Sequence, residues 1–312
     1  MKSLRIVLLV GCAVGLLGVG SVTQRFAGID VSVEFNLGQM ERTLTRELRV
    51  FEAHADGKAS WVYDALHSLW GNKADGDVAR VSGGVFVGDM GRLWSTAPTR
   101  AEAKRVSTDE LREVGLNFAS EYGLPEGRFV ISTASDQAEL LSEKGERINI
   151  VLGFNVTLRR TLDQLAMVGP GGRVKIFLDA AGEPAGYLRV WREAEAIGTY
   201  PRRMLEEAVA ELKENPLGPV IASDVISVRV TSVRLAYYER GMFDAQQFIQ
   251  PVYAFTCLAR IEGVREELAY ERYLLALEKQ FEPILPTGDR LQSEKRFEKP
   301  REGGRRIPGQ DE

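Results

Sequence analysis

The sequence predicts an α+β protein made of two consecutive lobes, in each of which a helix packs on one face of an antiparallel sheet. Three observations support this fold class. Residues 146–193 contain three runs in which apolar and polar residues alternate, which is the period of β-strands. An amphipathic helix is predicted before that stretch, and a second helix with three further strands after it. The order of helix, strand, strand, strand therefore occurs twice, as a repeat of architecture and not of residues.

The first strand of the central stretch has the clearest alternation. Its apolar residues are Ile148, Ile150, Leu152, Phe154, Val156 and Leu158. The residues between them are mostly polar or small, so we expect one buried face and one exposed face. A glycine-rich turn, Gly169–Gly172, precedes the second strand, and a hairpin loop containing Gly182 connects the second strand to the third. Together these strands predict a curved antiparallel sheet.

Both predicted helices have recognisable ends. Ser107 and Glu110 have the spacing of a capping box, while Gly123 and Pro125 favour termination after the stripe of Leu111, Val114, Phe118 and Tyr122. Pro201 lies near the start of the second helix, whose stripe is Leu205, Ala208, Val209 and Leu212. Three strands are predicted after it, over 225–238, 250–261 and 267–277.

The segments before the central sheet are less regular. Residues 26–37 alternate loosely and predict a strand, whereas 40–53 and 61–70 have the apolar spacing of helices. Residues 80–87 predict another strand. The polar residues 136–146 predict a hairpin loop.

Composition excludes several classes of function. The chain has 312 residues, 44% hydrophobic and 27% charged, which is ordinary for a globular protein. A net charge of −4 and the lack of a basic stripe argue against nucleic-acid binding. The sequence contains no H-E-x-x-H or G-x-S-x-G motif, and the Gly169–Gly172 turn leads into a strand rather than the helix of a phosphate loop. We therefore expect no metal, no cofactor and no catalytic residue.

The N-terminus has the pattern of an export signal. Lys2 and Arg5 precede an apolar run from Ile6 to Val22, so residues 1–24 are interpreted as a signal peptide or as a retained membrane anchor. Cys12 lies in a sequence similar to a lipoprotein box, but the residues after it stay apolar, which argues against lipidation. Each alternative places the rest of the chain outside the cytoplasm, either secreted or attached to the membrane.

The repeat of elements and a change in composition near residue 282 set the domain boundaries. We assign residues 25–195 to the first lobe and 196–281 to the second. Residues 282–312 combine proline, glycine and charge with little apolar surface, so a disordered tail is expected. Cys257 lies in a predicted strand without a nearby histidine, which indicates a small buried side chain and not a reactive thiol.

The first lobe resembles the FTP and PepSY modules found in propeptides of thermolysin-like metallopeptidases. The resemblance is carried by residues 107–125, by 154–160, and by 162–172 with the hairpin at Gly182. Gln164 departs from it, because the pattern usually has glycine there. Tyr237 and Tyr238 before 250–255 resemble a second PepSY-type unit. Such modules bind and inhibit peptidases, assist their folding or act as extracytoplasmic regulatory domains, so the resemblance implies a role without catalysis.

These observations predict an exported, membrane-associated binding or regulatory protein whose partner is another protein, a peptidase or a membrane sensor. Tyr187 and Trp191 lie on one face of the predicted strand Gly186–Glu193 and are the candidate contact residues if they are exposed; the alternative is that both fill the core. The competing function is an extracytoplasmic enzyme with a site between the lobes, near Asp89, Arg92 and Trp94.

Overall fold

Four helices and thirteen strands make up the part of the chain that the structure describes. The computed structural model describes residues 29–70, 79–81, 84–88, 106–123, 127–141, 147–218 and 224–284. The helices are α1 (Leu37–Thr43), α2 (Ala59–Trp70), α3 (Thr108–Glu121) and α4 (Leu205–Glu214). The strands are β1 (Asp30–Val33), β2 (Glu47–His54), β3 (Ala79–Val81), β4 (Gly84–Gly88), β5 (Phe129–Leu141), β6 (Arg147–Leu162), β7 (Leu165–Val168), β8 (Arg173–Asp179), β9 (Pro184–Val190), β10 (Glu193–Pro201), β11 (Val225–Tyr238), β12 (Phe248–Ile261) and β13 (Leu268–Leu275).

All thirteen strands join one mixed sheet. Its main order is β10-β2-β12-β11-β7-β6-β8-β9-β4-β3, while β1 pairs with β11, β13 with β12, and β5 with β6. The prediction of two lobes, each with its own sheet and helix, is therefore wrong, and the protein is mostly β. The three strands predicted over 146–193 were correct: they are β6, β8 and β9, which are consecutive neighbours in the sheet and antiparallel.

The strand that joins the two halves of the sheet is β7, which was not predicted from the sequence. It forms a hairpin with the end of β6 and pairs in parallel with the end of β11, where Met167 and Val168 lie opposite Tyr237 and Tyr238. This second pairing brings together residues about 70 positions apart in the sequence, and pairing over such a distance leaves no mark in local periodicity.

All four described helices pack on the same face of the sheet. Leu158 of β6 packs in the core beneath α2 and α3, and Leu162, four residues further along the same strand, packs with Tyr237 of β11. Val233 and Leu235 of β11 alternate with Tyr237 and pack in the core beneath α4. Because residues two apart on a strand share a face, the two cores lie on one side, which we call the helix face. We call the opposite side the open face; no helix of the described ranges packs on it.

The N-terminal end of α3 confirms the predicted capping box. The Glu110 amide donates to Ser107 Oγ (3.2 Å) and the Ser107 amide donates to Glu110 Oε2 (2.7 Å). Gly123 follows the helix with φ of +91°, the left-handed conformation expected after a helix. Gly115 lies so close to β6 that a Cβ there would be 2.7 Å from Val156 Cβ, so the glycine permits the contact between α3 and the sheet.

Two segments differ from the sequence prediction. A helix was predicted over 40–53, but α1 ends at Thr43 and Glu47–His54 is strand β2, which pairs with β10 along its length. Pairing of this strand between β10 and β12 outweighs the helical spacing of its apolar residues. Residues 136–141, predicted as a loop, continue β5 opposite β6. The remaining residues of that loop, 142–146, lie outside the described residues.

The open face is more buried on β6 than the alternation predicts. Asn155 and Thr157 were expected on an exposed face, yet they are only 6% and 9% exposed. Their cross-strand neighbours on β8 are the longer side chains of Phe177 and Lys175. A short side chain in the middle of a sheet is shielded by such neighbours, so both faces of β6 are buried at this point.

Candidate binding surface

Tyr187 and Trp191, the predicted contact residues, lie in the core on the helix face. They are 0% and 5% exposed and pack with α2 and α3. The strand that carries Tyr187, β9, has β8 on one side and β4 on the other, so it offers no free edge. The alternative that both residues fill the core is therefore correct, and neither side chain is available to a partner in this structure.

Two arginines pack against Trp191, and one of them, Arg189, fixes two helices to the sheet. The guanidinium groups of Arg160 and Arg189 lie 5.2 and 5.8 Å from the centre of the Trp191 ring. Arg189 forms a buried ion pair with Asp56, which precedes α2, and its Nη1 donates to the carbonyl of Gly123 after α3 (3.1 Å). These contacts hold the ends of two helices against β9.

A second buried ion pair joins the end of β9 to the end of β11. Arg192 Nη1 lies 3.3 Å from Glu239 Oε1, and the Arg192 amide donates to the same oxygen (3.2 Å). The guanidinium also donates to the carbonyl oxygens of Arg240, Gly241 and Asp244 at 3.0, 2.9 and 2.7 Å. Burial raises the pKa of Glu239, while the charges of Arg192 and Arg160 oppose that rise. Both groups point into the protein, so the pair is suited to hold two strands together and not to act on a substrate.

The glycine-rich turn between β7 and β8 packs directly against this ion pair. The Gly171 amide donates to the carbonyl of Glu239 (2.9 Å), and a Cβ at Gly171 would lie 2.2 Å from the carbonyl oxygen of Arg240. Glycine is required there because the two backbones approach so closely. The interpretation of Gly169–Gly172 as a structural turn, and not a phosphate loop, is confirmed.

The outer edge of β5 is the strand edge best suited to bind a partner. Within the described residues, β5 pairs with β6 alone. The Thr161 amide donates to the Arg128 carbonyl (2.9 Å), which fixes the alternation of hydrogen bonds along the strand. It follows that the N–H and C=O groups of Phe129, Ile131 and Thr133 point away from β6, towards the free edge.

The first half of β5 also lacks the features that protect strand edges, whereas its second half carries Asp136, Glu139 and a bulge between Asp136 and Gln137. Phe129–Ala134 contains no charge and no proline, and Val130 is 57% exposed. By contrast, β10 carries Glu193 and Glu195, a bulge between Ala196 and Gly198, and Pro201. The edge strand β13 carries Glu271 and Arg272, and β3 is only three residues long. Charges, bulges, proline and short length all discourage strand addition, so β5 is the least protected of these edges.

The remaining candidates for chemistry do not form a site. His54 is exposed and lies 3.7 Å from Glu195, while His67, expected to be partly buried, is exposed and stacks on Tyr63. Cys257 is fully buried, as predicted, and burial raises its pKa to about 11. Over the described ranges no three His, Cys, Asp or Glu side chains are grouped to hold a metal ion.

Several predictions fall outside the described residues. They are the N-terminal segment 1–24, the tail from 285 onwards, and the proposed enzyme site at Asp89, Arg92 and Trp94. Glu282, the first residue assigned to the tail, is held in place: Gln250 Oε1 accepts from its amide (3.4 Å) and from that of the preceding Phe281 (3.2 Å). Among the helices that are described, none has the length and hydrophobicity needed to cross a membrane.

Comparison with known proteins adds little. No protein-family model matches the chain, and no curated protein matches it. Among solved structures, the chain is similar to the crystal structure of an uncharacterized protein from Eubacterium rectale. The two are 10% identical with a TM-score of 0.42, over 77% of this chain and 87% of the other. A score this low carries no argument about fold or function, and the resemblance to FTP and PepSY modules stays a prediction.

Proposed function

We propose that this protein is a non-catalytic binding or regulatory protein that captures an extended segment of another protein by strand addition to β5. As the N-terminal sequence predicts, it acts outside the cytoplasm, secreted or attached to the membrane. The resemblance to propeptide modules favours a peptidase or a membrane sensor as the partner. Because Tyr187 and Trp191 are buried, the proposed contact is made by backbone groups of β5 and not by these two side chains.

The observation that carries this proposal is the free edge of Phe129–Ala134. Strand addition uses backbone hydrogen bonds for affinity and side chains on alternate positions for specificity. An added strand would pair with Phe129, Ile131 and Thr133, and its side chains would lie beside Val130 and Ser132 on the open face.

Proline substitutions can test the free edge of β5 independently of the edge that pairs with β6. Thr133→Pro removes a donor on the free edge and leaves the hydrogen bonds to β6 in place, which is the position in a sheet where proline is tolerated. Thr133→Val keeps the donor and serves as the matched control. Ser132→Pro removes a donor to β6 instead and is expected to destabilise the sheet.

The experiment is a pull-down from membrane extracts, with thermal unfolding used to confirm that each variant is folded. We expect the wild type and Thr133→Val to retain a partner that folded Thr133→Pro loses. On binding, the amides of Phe129, Ile131 and Thr133 should become protected from hydrogen exchange. A partner retained by Thr133→Pro, or one that leaves these amides unprotected, contradicts strand addition at β5.

A further inference from the structure

The uncharged run of β5 has one charged residue on each side, and the two charges are opposite. Arg128 lies four residues before Ser132, and Asp136 lies four residues after it. Because residues two apart on a strand share a face, both occupy positions of the open face, together with Val130 and Ala134. The bulge after Asp136 ends this regular part of the strand. The two charges are therefore placed symmetrically about Ser132.

This symmetry makes the free edge of β5 complementary to itself. In an antiparallel pair of two copies of β5 centred on Ser132, Arg128 of one copy lies opposite Asp136 of the other. The two-fold symmetry of such a pair repeats the contact at the other end of the strands. Sliding one strand by two residues in either direction places Arg128 opposite Ala134 or Ala138 instead, so the charges select a single register.

The backbone groups of the free edge fit the same register. The N–H and C=O groups of Ile131 and Thr133 point away from β6, and the register places Ile131 of one copy opposite Thr133 of the other, where two residues exchange both hydrogen bonds. Arg128 and Asp136 then form a non-hydrogen-bonded pair, the kind in which side chains on neighbouring strands come closest. Opposite charges in cross-strand pairs stabilise a sheet, whereas like charges destabilise it.

We infer that β5 pairs with β5 of a second copy of this chain, which gives a symmetric dimer with one continuous sheet. An unprotected strand edge is a template for another strand, and the second copy offers a strand that matches it in charge and in hydrogen-bonding groups. One edge cannot hold the second copy and another protein at the same time. The dimer itself does not require the proposed function, whereas the consequence that a partner must displace the second copy rests on it.

The test measures the mass of the purified protein, without any partner, by sedimentation over a range of concentrations. We expect a reversible equilibrium between monomer and dimer in the wild type. Arg128→Glu places like charges at both ends of the paired strands, so the dissociation constant of the dimer should rise about tenfold or more. The double variant Arg128→Glu with Asp136→Arg makes the two charges opposite again and should restore the dimer.

Arg265→Glu is the matched control, because Arg265 is exposed in the turn between β12 and β13 and the net charge changes equally. Thr133→Pro, confirmed to be folded by thermal unfolding, should abolish the dimer through the backbone alone. A monomer at every concentration, or a dimer that Arg128→Glu weakens no more than Arg265→Glu does, would overturn the inference. Neither result alters the pull-down with a partner, so a failure of the dimer is distinguishable from a failure of the proposed function.

Discussion

Arg192 and Glu239 form an ion pair with side-chain exposures of 5% and 0%, at the point where the two halves of the sheet meet. Arg192 follows β9 and Glu239 follows β11, so the pair connects strands that are not neighbours. Gly171, in the turn between β7 and β8, also packs against Glu239. A charged contact between distant parts of the chain thus holds the two halves of the single sheet together at its centre.

Removing one partner of this pair should be far more costly than removing both. Arg192→Met leaves the buried Glu239 carboxylate without its ion-pair partner, with the charge of Arg160 still acting on it, and we expect a loss of about 3–5 kcal/mol in the free energy of unfolding. Urea denaturation of the wild type, Arg192→Met, Glu239→Gln and the double variant measures the coupling between the two residues. Costs that add in the double variant would mean that the two charges do not depend on each other.

Acid should weaken the contact between α1 and α4 through Glu41. The hydrogen bond from Arg202 lowers the pKa of Glu41, and Glu41 Oε2 also accepts from the Leu205 amide (3.1 Å) at the start of α4. Because the pKa is lower in the folded state than in the unfolded state, the unfolded chain binds protons more readily. The stabilisation is present above the ordinary pKa of 4.5 and is lost as the pH falls through the folded-state value.

The variant Glu41→Gln tests this dependence, because it removes the titrating group. We expect its free energy of unfolding, measured in urea between pH 7 and pH 3, to fall less steeply with acid than that of the wild type. Parallel curves for the two proteins would show that Glu41 is not responsible.

Local signals in the sequence were sufficient for elements that depend on local physics. The capping box at Ser107 predicted α3, and alternation predicted β11 with its observed ends, Val225 and Tyr238. The number of sheets was not predictable in this way, because it depends on the four-residue strand β7 and on its pairing with β11 far along the chain.

The candidate sites were missed for a related reason. Alternation correctly placed Arg159 on the face opposite Leu158, but it could not show that Arg173 of β8 would be its cross-strand neighbour. Tyr187 and Trp191 were predicted to contact a partner if exposed, but large aromatic residues are at least as common in cores as at interfaces. The free edge of β5 was not predicted because it depends on which strands pair, and because residues 136–141 of this strand were predicted as part of a loop.

The hairpin between β6 and β7 contains a strained residue that substitution should relieve. Asp163 and Gln164 have φ of 46° and 69°, the positive values that a two-residue type I′ turn requires at both positions. Asparagine or aspartate suits the first position and glycine the second, which is also where the FTP and PepSY pattern usually has glycine. Gln164 is exposed, so its side chain adds little packing to offset the strain.

We expect Gln164→Gly to raise the free energy of unfolding by up to about 1 kcal/mol, because glycine adopts positive φ without the steric cost that other residues meet. The gain is limited by the greater freedom of glycine in the unfolded chain. Gln164→Ala is the control: it shortens the side chain but keeps the Cβ, so no gain is expected. Chemical denaturation of the three proteins measures the difference, and a Gly variant no more stable than the Ala variant would show that this turn is not strained at Gln164.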